Sequence, residues 1–481
     1  MALNQQLFQQ RLAALRAVPA LDPADVDRLV KVLQDPDDWA CFRLNPLAFA
    51  AEHGLAPRAA LDLFLHAARA GLLDLRFNLI CPGCGGVEYE MKRMDAVPTR
   101  DWHCVVCERD VQAELDDRVE VSFSVEQGVR DLQLDVFQSV ASYARFFFSA
   151  NFQRAPQLQE FVNGLSLGIY LVQPGAQVDF TLDAQPGRTY RLLSLDRHSQ
   201  AYLPPAKEGT TGVSRVEFAV LTEGMSPASV PVAPGPVSIR VVNRGTAPVG
   251  FLVLAVDWEG LDVVLAAHPS TMRPFLTAKM LLNNQTFRDL FRVQALDVNM
   301  QLRLRSLTLL FTDLKGSTEL YDRTGDLRAY SFVREHFKVL TDAVKRHHGA
   351  LIKTMGDAIM ASFNEPTDAA HAALEMMAGM ESLNAGLKAE GHDTGLKVGL
   401  HEGPALAVTS DERLDYFGQT VNVAARVQGL AQAGEIWLTP SVMDAPGVQP
   451  ALRGAGWSGE QQQVSLKGVG GKTRVYRMHR G

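Results

Sequence analysis

This 481-residue chain is short of several features that would narrow its class at once. It has no run of about 18 or more uncharged apolar residues, so no transmembrane helix is expected. The longest candidate, residues 250–267, is interrupted by Asp257, Glu259 and Asp262. The opening residues, Met1-Ala-Leu-Asn-Gln-Gln, lack the basic stretch and apolar core of a secretion signal. Basic excess is also missing: 47 Lys and Arg stand against 54 Asp and Glu, for a net charge of −7. That balance gives no bulk attraction to nucleic acid or to an anionic membrane, and neither partner is expected. Cysteine is scarce, with five residues, and four of them are spaced as metal ligands rather than as a disulfide framework. A reducing, cytoplasmic location is the expectation.

What is present is an ordinary folded composition, 47% hydrophobic and 21% charged, in a chain long enough for about three domains. Residues 1–78 carry apolar positions at helical spacing, marked early by Leu12, Leu15, Leu21, Val26, Leu29, Val30 and Leu33. A helical run from Pro46, a turn at Gly54 to Pro57, a second run from Arg58 to Leu73 and a strand-like 75–80 follow. Helix, turn, helix, strand is the order of a winged-helix unit. Its second helix offers only Arg58 and Arg69 as bases, so a structural or protein-contact role is favoured over reading DNA.

Over residues 79–114, Cys81-Pro-Gly-Cys84 and Cys104-Val-Val-Cys107 form C-x2-C-x19-C-x2-C. Two such pairs at hairpin tips can meet at one tetrahedral Zn²⁺, as in a zinc ribbon. A closed four-thiolate shell leaves no open position for catalysis. Cys41 is left over and reads as a small buried apolar residue. Residues 115–265 turn β-rich, with short apolar runs separated by Pro, Gly and Asn signals, which predicts a β-sandwich. It holds no catalytic constellation; a ligand pocket for an unknown effector and a plain scaffold are both open readings. Residues 266–305 return to helical spacing, with Phe287, Leu290 and Phe291 on one face of a helix expected over 284–296. That segment either packs onto its own domain or transmits a signal at a dimer interface.

Residues 306–481 read as an α/β domain with a largely antiparallel sheet. Five ordered motifs lie within it: Leu310-Phe-Thr-Asp-Leu-Lys-Gly-Ser-Thr318, Lys353-Thr-Met-Gly-Asp-Ala358, Val398-Gly-Leu-His-Glu-Gly403, Asp415-Tyr-Phe-Gly-Gln-Thr-Val-Asn-Val-Ala-Ala-Arg426 and Leu466-Lys-Gly468. By these motifs the domain resembles the class III nucleotidyl cyclases, the family of adenylate and guanylate cyclases, in a bacterial-type subgroup. The resemblance implies a ferredoxin-like fold, two Mg²⁺ or Mn²⁺ per site, and a homodimer whose sites are built across the interface. None of it comes from the first 300 residues.

The chemistry asks for the same residue types. Cyclising a nucleoside triphosphate requires the ribose 3′-oxygen to attack the α-phosphorus in line while pyrophosphate leaves. Two divalent ions lower the hydroxyl's pKa and neutralise the phosphates, and hard cations take carboxylate oxygens. Asp313, expected on a turn after an apolar strand over 306–311, and Asp357, expected at a hairpin turn, are the candidates. Between Asp313 and the next helix, Gly316 and Ser317 would let backbone N–H groups cradle phosphate. Asn422 and Arg426 are four apart and share a helix face. The family's matching asparagine orients the ribose, and its arginine stabilises charge on the reacting phosphate, a task suited to a guanidinium fork. Lys467 matches the family's closing phosphate lysine, with an exposed loop lysine as the alternative.

The positions that read the base in the family hold Lys353 and Asp415 here. A lysine donor meets the adenine ring nitrogen, and an aspartate acceptor meets the exocyclic amine. ATP is therefore the expected substrate and cyclic AMP the product. The alternatives are a guanylate cyclase, or a catalytically degenerate cyclase-like binding protein. Ser317 stands where many family members have an aromatic residue.

Overall fold

The computed structural model describes residues 3–92, 102–111, 116, 118–207, 211–291, 302–316, 326–389, 394–410 and 413–480. The chain starts with helices whose ends are written in the sequence. α1 (Gln5–Arg16) and α2 (Pro23–Leu33) begin at Asn4 and Asp22, whose side chains accept from Leu7 N–H and Ala24 N–H. α3 (Pro46–His53) is capped by Asn45 and stopped by Gly54 in the left-handed conformation, and α4 (Pro57–Arg69) follows. Leu61, Phe64 and Leu65 of α4 are buried at helical spacing. β1 (Leu73–Ile80) then lies between β2 (Val87–Met91) and a later strand, β5 (Val119–Val125), in a three-stranded sheet. The hairpin of β3 (Trp102–Cys104) and β4 (Arg109–Val111) carries the second cysteine pair.

Next come α5 (Val140–Phe147), β6 (Phe152–Gln153), α6 (Pro156–Leu165), β7 (Ser166–Val172) and β8 (Gln177–Ala184). They are followed by β9 (Tyr190–Ser194), β10 (Ser199–Leu203), β11 (Arg215–Leu221), β12 (Gly224–Ser226), β13 (Gly235–Asn243) and β14 (Val249–Ala255). The strands form two four-stranded sheets, ordered β10-β9-β14-β7 and β12-β11-β13-β8. Leu192, Phe251 and Val253 of the first share one core with Phe218, Ile239 and Val241 of the second. The alternation along β13, where Val237, Ile239 and Val241 are buried, is what puts them there. α7 (Trp258–Ala267), β15 (Thr271–Met272), α8 (Ala278–Leu282) and α9 (Gln285–Leu290) close the front half. The helix expected over 284–296 is thus a six-residue piece capped by Asn284, and residues 292–296 lie outside the described residues.

The C-terminal part runs β16 (Leu302–Lys315), α10 (Asp326–Arg346), β17 (Ala350–Met355), β18 (Ala358–Phe363), α11 (Pro366–Ala389) and β19 (Gly395–Ser410). That βαββαβ succession, with spatial order β17-β18-β16-β19, is ferredoxin-like. β20 (Arg413–Phe417), α12 (Gln419–Leu430), β21 (Glu435–Leu438), α13 (Pro440–Met443), α14 (Val448–Gly454), β22 (Trp457–Val464) and β23 (Thr473–Arg480) extend it. The pairs within this sheet are antiparallel except β19 with β21.

β16 is buried on both faces. Leu310 and Leu314 pack with α10 and α11. Leu307, Leu309 and Phe311 point the other way, into a core that runs without a break into Leu281, Leu282, Phe287 and Phe64 of the front half. Leu309 is fully buried in that shared core. We expect Leu309→Ala to cost about 2–5 kcal/mol and to lower the unfolding midpoints of both halves together. Denaturant melts of the full chain, followed by separate probes in each half, check this; a shift confined to the C-terminal probe would contradict it.

Candidate active site

Asp313 does not stand on a turn after its strand. β16 continues through Lys315 because Leu314 still finds a buried place, so Asp313 lies within the ladder opposite Lys397 of β19. Period-two alternation puts it on the face shared by Leu309 and Phe311. Lys397 Nζ donates to its Oδ2 at 2.7 Å, and the aspartate side chain is 38% exposed.

Asp357 occupies, with Gly356, the two-residue turn between β17 and β18. Gly356 has φ 64°, a conformation that glycine adopts at little cost. Two contacts fix this turn beside Asp313. Ile359 N–H donates to Thr312 Oγ1 at 3.0 Å, and His336 of α10 bonds the Asp357 carbonyl through Nε2 at 2.9 Å. The carbonyl can only accept, so His336 carries its proton on Nε2. Burial lowers the pKa of this fully buried histidine and keeps it neutral. Two partly exposed carboxylates, one within β16 and one on the neighbouring β17–β18 turn, are a donor set that fits hard divalent cations.

Lys353 and Asp415 meet directly, Nζ to Oδ2 2.6 Å, although they are 62 residues apart. The ladder between β16 and β19 shifts register between Leu304 and Leu307, an irregularity that bends a strand. Beyond that bend β19 pairs with β20, setting Val408 opposite Asp415. The lysine side chain is 42% exposed and the aspartate 17%.

Asn422 and Arg426 lie on α12, which turns Val423, Ala424 and Val427 inward and leaves Asn422 exposed. Arg426 is half-buried beside the Leu466–Gly468 turn. A Cβ on Gly468, whose φ is +72°, would sit 3.4 Å from Arg426 Nη2. Lys467, next to that glycine, is exposed. The fold therefore brings the sequence candidates together as three pairs: Asp313 with Asp357, Lys353 with Asp415, and Arg426 with the Lys467 turn. Gly316 forms the turn after β16 with φ 85°, whereas Ser317 lies outside the described residues.

Several contributors escaped the sequence reading. Lys397 and His336 carry no local signal, because only tertiary contacts assign them. The same holds for the segment over α8 and α9. Gln285 Oε1 accepts from Leu351 N–H at 2.8 Å on the strand of Lys353. Arg288 donates to Leu414 O at 3.0 Å and lies 5.5 Å from the Tyr416 ring centroid. Tyr416 Oη in turn donates to Asn283 Oδ1 at 2.9 Å. The front half thus holds both strands that present the Lys353–Asp415 pair.

Away from this region, the sulfurs of Cys81 and Cys107 are 3.5 Å apart and those of Cys84 and Cys104 are 3.7 Å apart. Cys41 lies apart from them, fully buried, and burial pushes its thiol up to about 11.

His401, from the Val398–Gly403 motif, bonds Thr439 Oγ1 through Nδ1 at 2.8 Å, and burial lowers its pKa from 6.5 to about 4. Between those values the unfolded chain binds a proton that the folded chain refuses. Its contribution to stability is therefore full above pH 6.5 and is lost progressively as pH falls toward 4; His336 acts in the same direction. Melting temperatures measured from pH 7.5 to 4 should fall less steeply in His401→Gln than in the parent chain. Equal slopes would remove His401 as a contributor.

Residues 300–479 match the family described as the adenylate and guanylate cyclase catalytic domain. An adenylate cyclase of Anabaena cylindrica is 32% identical over 152 residues, which cover 29% of this chain and 30% of that protein. Adenylate cyclase 1 of Rhizobium meliloti is 30% identical over 138 residues, covering 26% of this chain and 21% of that protein. The matched part is thus under a third of the length of these two relatives. Among solved structures, the adenylyl cyclase CyaB of P. aeruginosa aligns with 38% of this chain and 97% of its own, at 21% identity and a TM-score of 0.33. The front half matches a different family over residues 5–289. The chain belongs to that family, a family of unknown function (DUF5939), and carries a class III nucleotide cyclase catalytic domain behind it.

Proposed function

We propose that the C-terminal domain converts ATP to 3′,5′-cyclic AMP and pyrophosphate, working as a homodimer under the control of the front half. The observation that carries this reading is the Lys353–Asp415 pair, Nζ to Oδ2 2.6 Å, because it presents a donor and an acceptor side by side. Lys353 donates to the adenine ring nitrogen and Asp415 accepts from the exocyclic amine. Guanine offers the reverse order at that edge.

Asp313 and Asp357 would hold two Mg²⁺ or Mn²⁺, which when bound neutralise phosphate charge and acidify the ribose 3′-hydroxyl. Lys397 and His336 orient these two residues, one through the carboxylate and one through the backbone carbonyl. Asn422 aligns the ribose so that its 3′-oxygen faces the α-phosphorus. As that bond forms, the bond from the α-phosphorus to the bridging oxygen breaks, and the hydroxyl proton leaves to phosphate or water. Arg426 spreads its guanidinium against the charge gathering on the phosphoryl oxygens, and Lys467 meets the departing phosphates. In a dimer, one protomer supplies the aspartates while the other supplies Lys353, Asp415, Asn422 and Arg426. The family resemblance supports this division, and it makes an isolated protomer inactive.

The front half takes the regulatory role in this reading. It would bind an unidentified effector or protein, with a structural zinc held by Cys81, Cys84, Cys104 and Cys107. Among the described residues no helix is long and apolar enough to cross a membrane.

The full chain incubated with ATP or GTP and Mg²⁺ or Mn²⁺ should yield cyclic AMP from ATP. Asp313→Ala should lower turnover by about 10²–10³-fold. Lys353→Ala should lower kcat/KM for ATP about 10–100-fold and narrow the preference for ATP over GTP. Cyclic GMP as the main product would overturn the base assignment. No cyclic product from a confirmed dimer would leave a degenerate binding domain.

A further inference from the structure

Four free cysteines place all their sulfurs within 4.8 Å of one another, although two of them come from each of two separate hairpin turns. A tetrahedral zinc with Zn–S bonds of about 2.3 Å has sulfur–sulfur edges of about 3.8 Å. The observed 3.5 and 3.7 Å contacts lie close to that spacing. The backbone around them is folded for the purpose. Gly85 N–H donates to Cys81 O at 2.8 Å, Glu108 N–H donates to Cys104 O at 2.9 Å, and Gly86 N–H donates to Cys84 Sγ at 3.4 Å.

Loading such a site has an electrostatic consequence. Four thiols and one Zn²⁺ give a tetrathiolate complex and four released protons, and the complex keeps two negative charges. Cys81, Cys104 and Cys107 are buried, so this charge sits in a place that punishes an unmatched ion. Two guanidinium groups line one cavity with Cys84 and Cys107. Arg191 of β9, only 4% exposed, donates through Nη2 to Val106 O at 2.8 Å and through Nη1 to Val105 O at 3.2 Å. Those carbonyls belong to the two residues between Cys104 and Cys107. The group also lies 4.9 Å from the Trp258 ring centroid and donates to Gln200 Oε1 at 3.2 Å. Arg154, just after β6, lies 4.2 Å from the Phe148 ring centroid and donates to Gln159 Oε1 at 3.3 Å.

Neither arginine forms an ion pair with a carboxylate among the described residues. Both instead border one cavity together with Cys84, Val106 and Cys107. Both arginines come from the chain beyond the cysteine hairpins, one before the sandwich and one on its β9.

We propose that Cys81, Cys84, Cys104 and Cys107 hold one zinc ion, and that Arg154 and Arg191 are its counter-charges, so that the metal fastens the cysteine hairpins to the sandwich sheet. Arg191 does this twice over, holding the backbone between two ligands while answering the charge of the cluster. The arginines are positioning residues outside the metal's own shell, and such partners govern how firmly a metal is kept. The zinc is then the joint between two modules of the front half as well as a local staple.

The test uses the full chain and reads zinc content, zinc release to an excess of a coloured chelator, and amide hydrogen exchange over residues 102–111. We expect one zinc per chain, retained in Cys41→Ser and lost in Cys84→Ser. Arg191→Gln and Arg154→Gln should still take up zinc but release it about 10–100-fold faster, with exchange raised at residues 104–107. Arg154 is the less buried of the two, so its variant carries the test if Arg191→Gln fails to fold. A chain with no zinc after growth in zinc-supplemented medium would overturn the site. Arginine variants with parental release and exchange would overturn the joint. None of these readouts depends on cyclase activity, so a failed ATP assay leaves them intact.

Discussion

The fourteen residues of β16 must satisfy two cores at once, and most of the rest depends on that constraint. Even-numbered positions such as Leu310 and Leu314 close the layer of α10 and α11. Odd-numbered positions from Leu307 to Phe311 enter the core shared with the front half. Each fully buried leucine contributes about 1.5–3 kcal/mol of transfer free energy, so slipping the strand by one residue would forfeit several such terms on both faces. The register is therefore fixed, and with it the place of Asp313 beside the β17–β18 turn.

The front half and the candidate site are joined through the same core. α8 and α9 lie against the sheet face that also carries Asp313, and they bond the strands of Lys353 and Asp415 through Gln285, Arg288 and Asn283. Arg58 of α4 adds a bond to the Lys345 carbonyl at the end of α10. Buried contacts of this kind deform little, so the packing of α8 and α9 and the placing of the Lys353–Asp415 pair are mechanically linked. At the other end of the front half, Arg191 ties the β3–β4 hairpin to the sheet of β9.

Much of the chemistry was legible without coordinates. The spacing of Cys81, Cys84, Cys104 and Cys107 predicted one cluster, and the four sulfurs do gather. The C-terminal motifs pointed to a cyclase domain, and residues 300–479 match one. The largely antiparallel sheet of the C-terminal domain followed from its α/β element order, and its pairs are antiparallel except β19 with β21. Less was legible where a local pattern had to compete with tertiary packing. Asp313 looked like a turn residue because polar residues often end strands; the buried seat of Leu314 carries the strand past it. The helix expected over 284–296 is six residues long in its described part.

The sequence by itself determined residue type and local spacing. It supplied two carboxylates after apolar runs, an asparagine and an arginine one helical turn apart, paired cysteines, caps at helix starts and glycines at turns that need positive φ. These are short-range properties, fixed by neighbours along the chain. Tertiary packing alone makes Lys353 reach Asp415, sets Lys397 and His336 on the two aspartates, and brings Arg191 to the carbonyls of Val105 and Val106. Such pairings span from 21 to 86 residues of chain. No local periodicity encodes them, because they arise when strands find their register and a buried charge takes the partner that the finished fold places within reach.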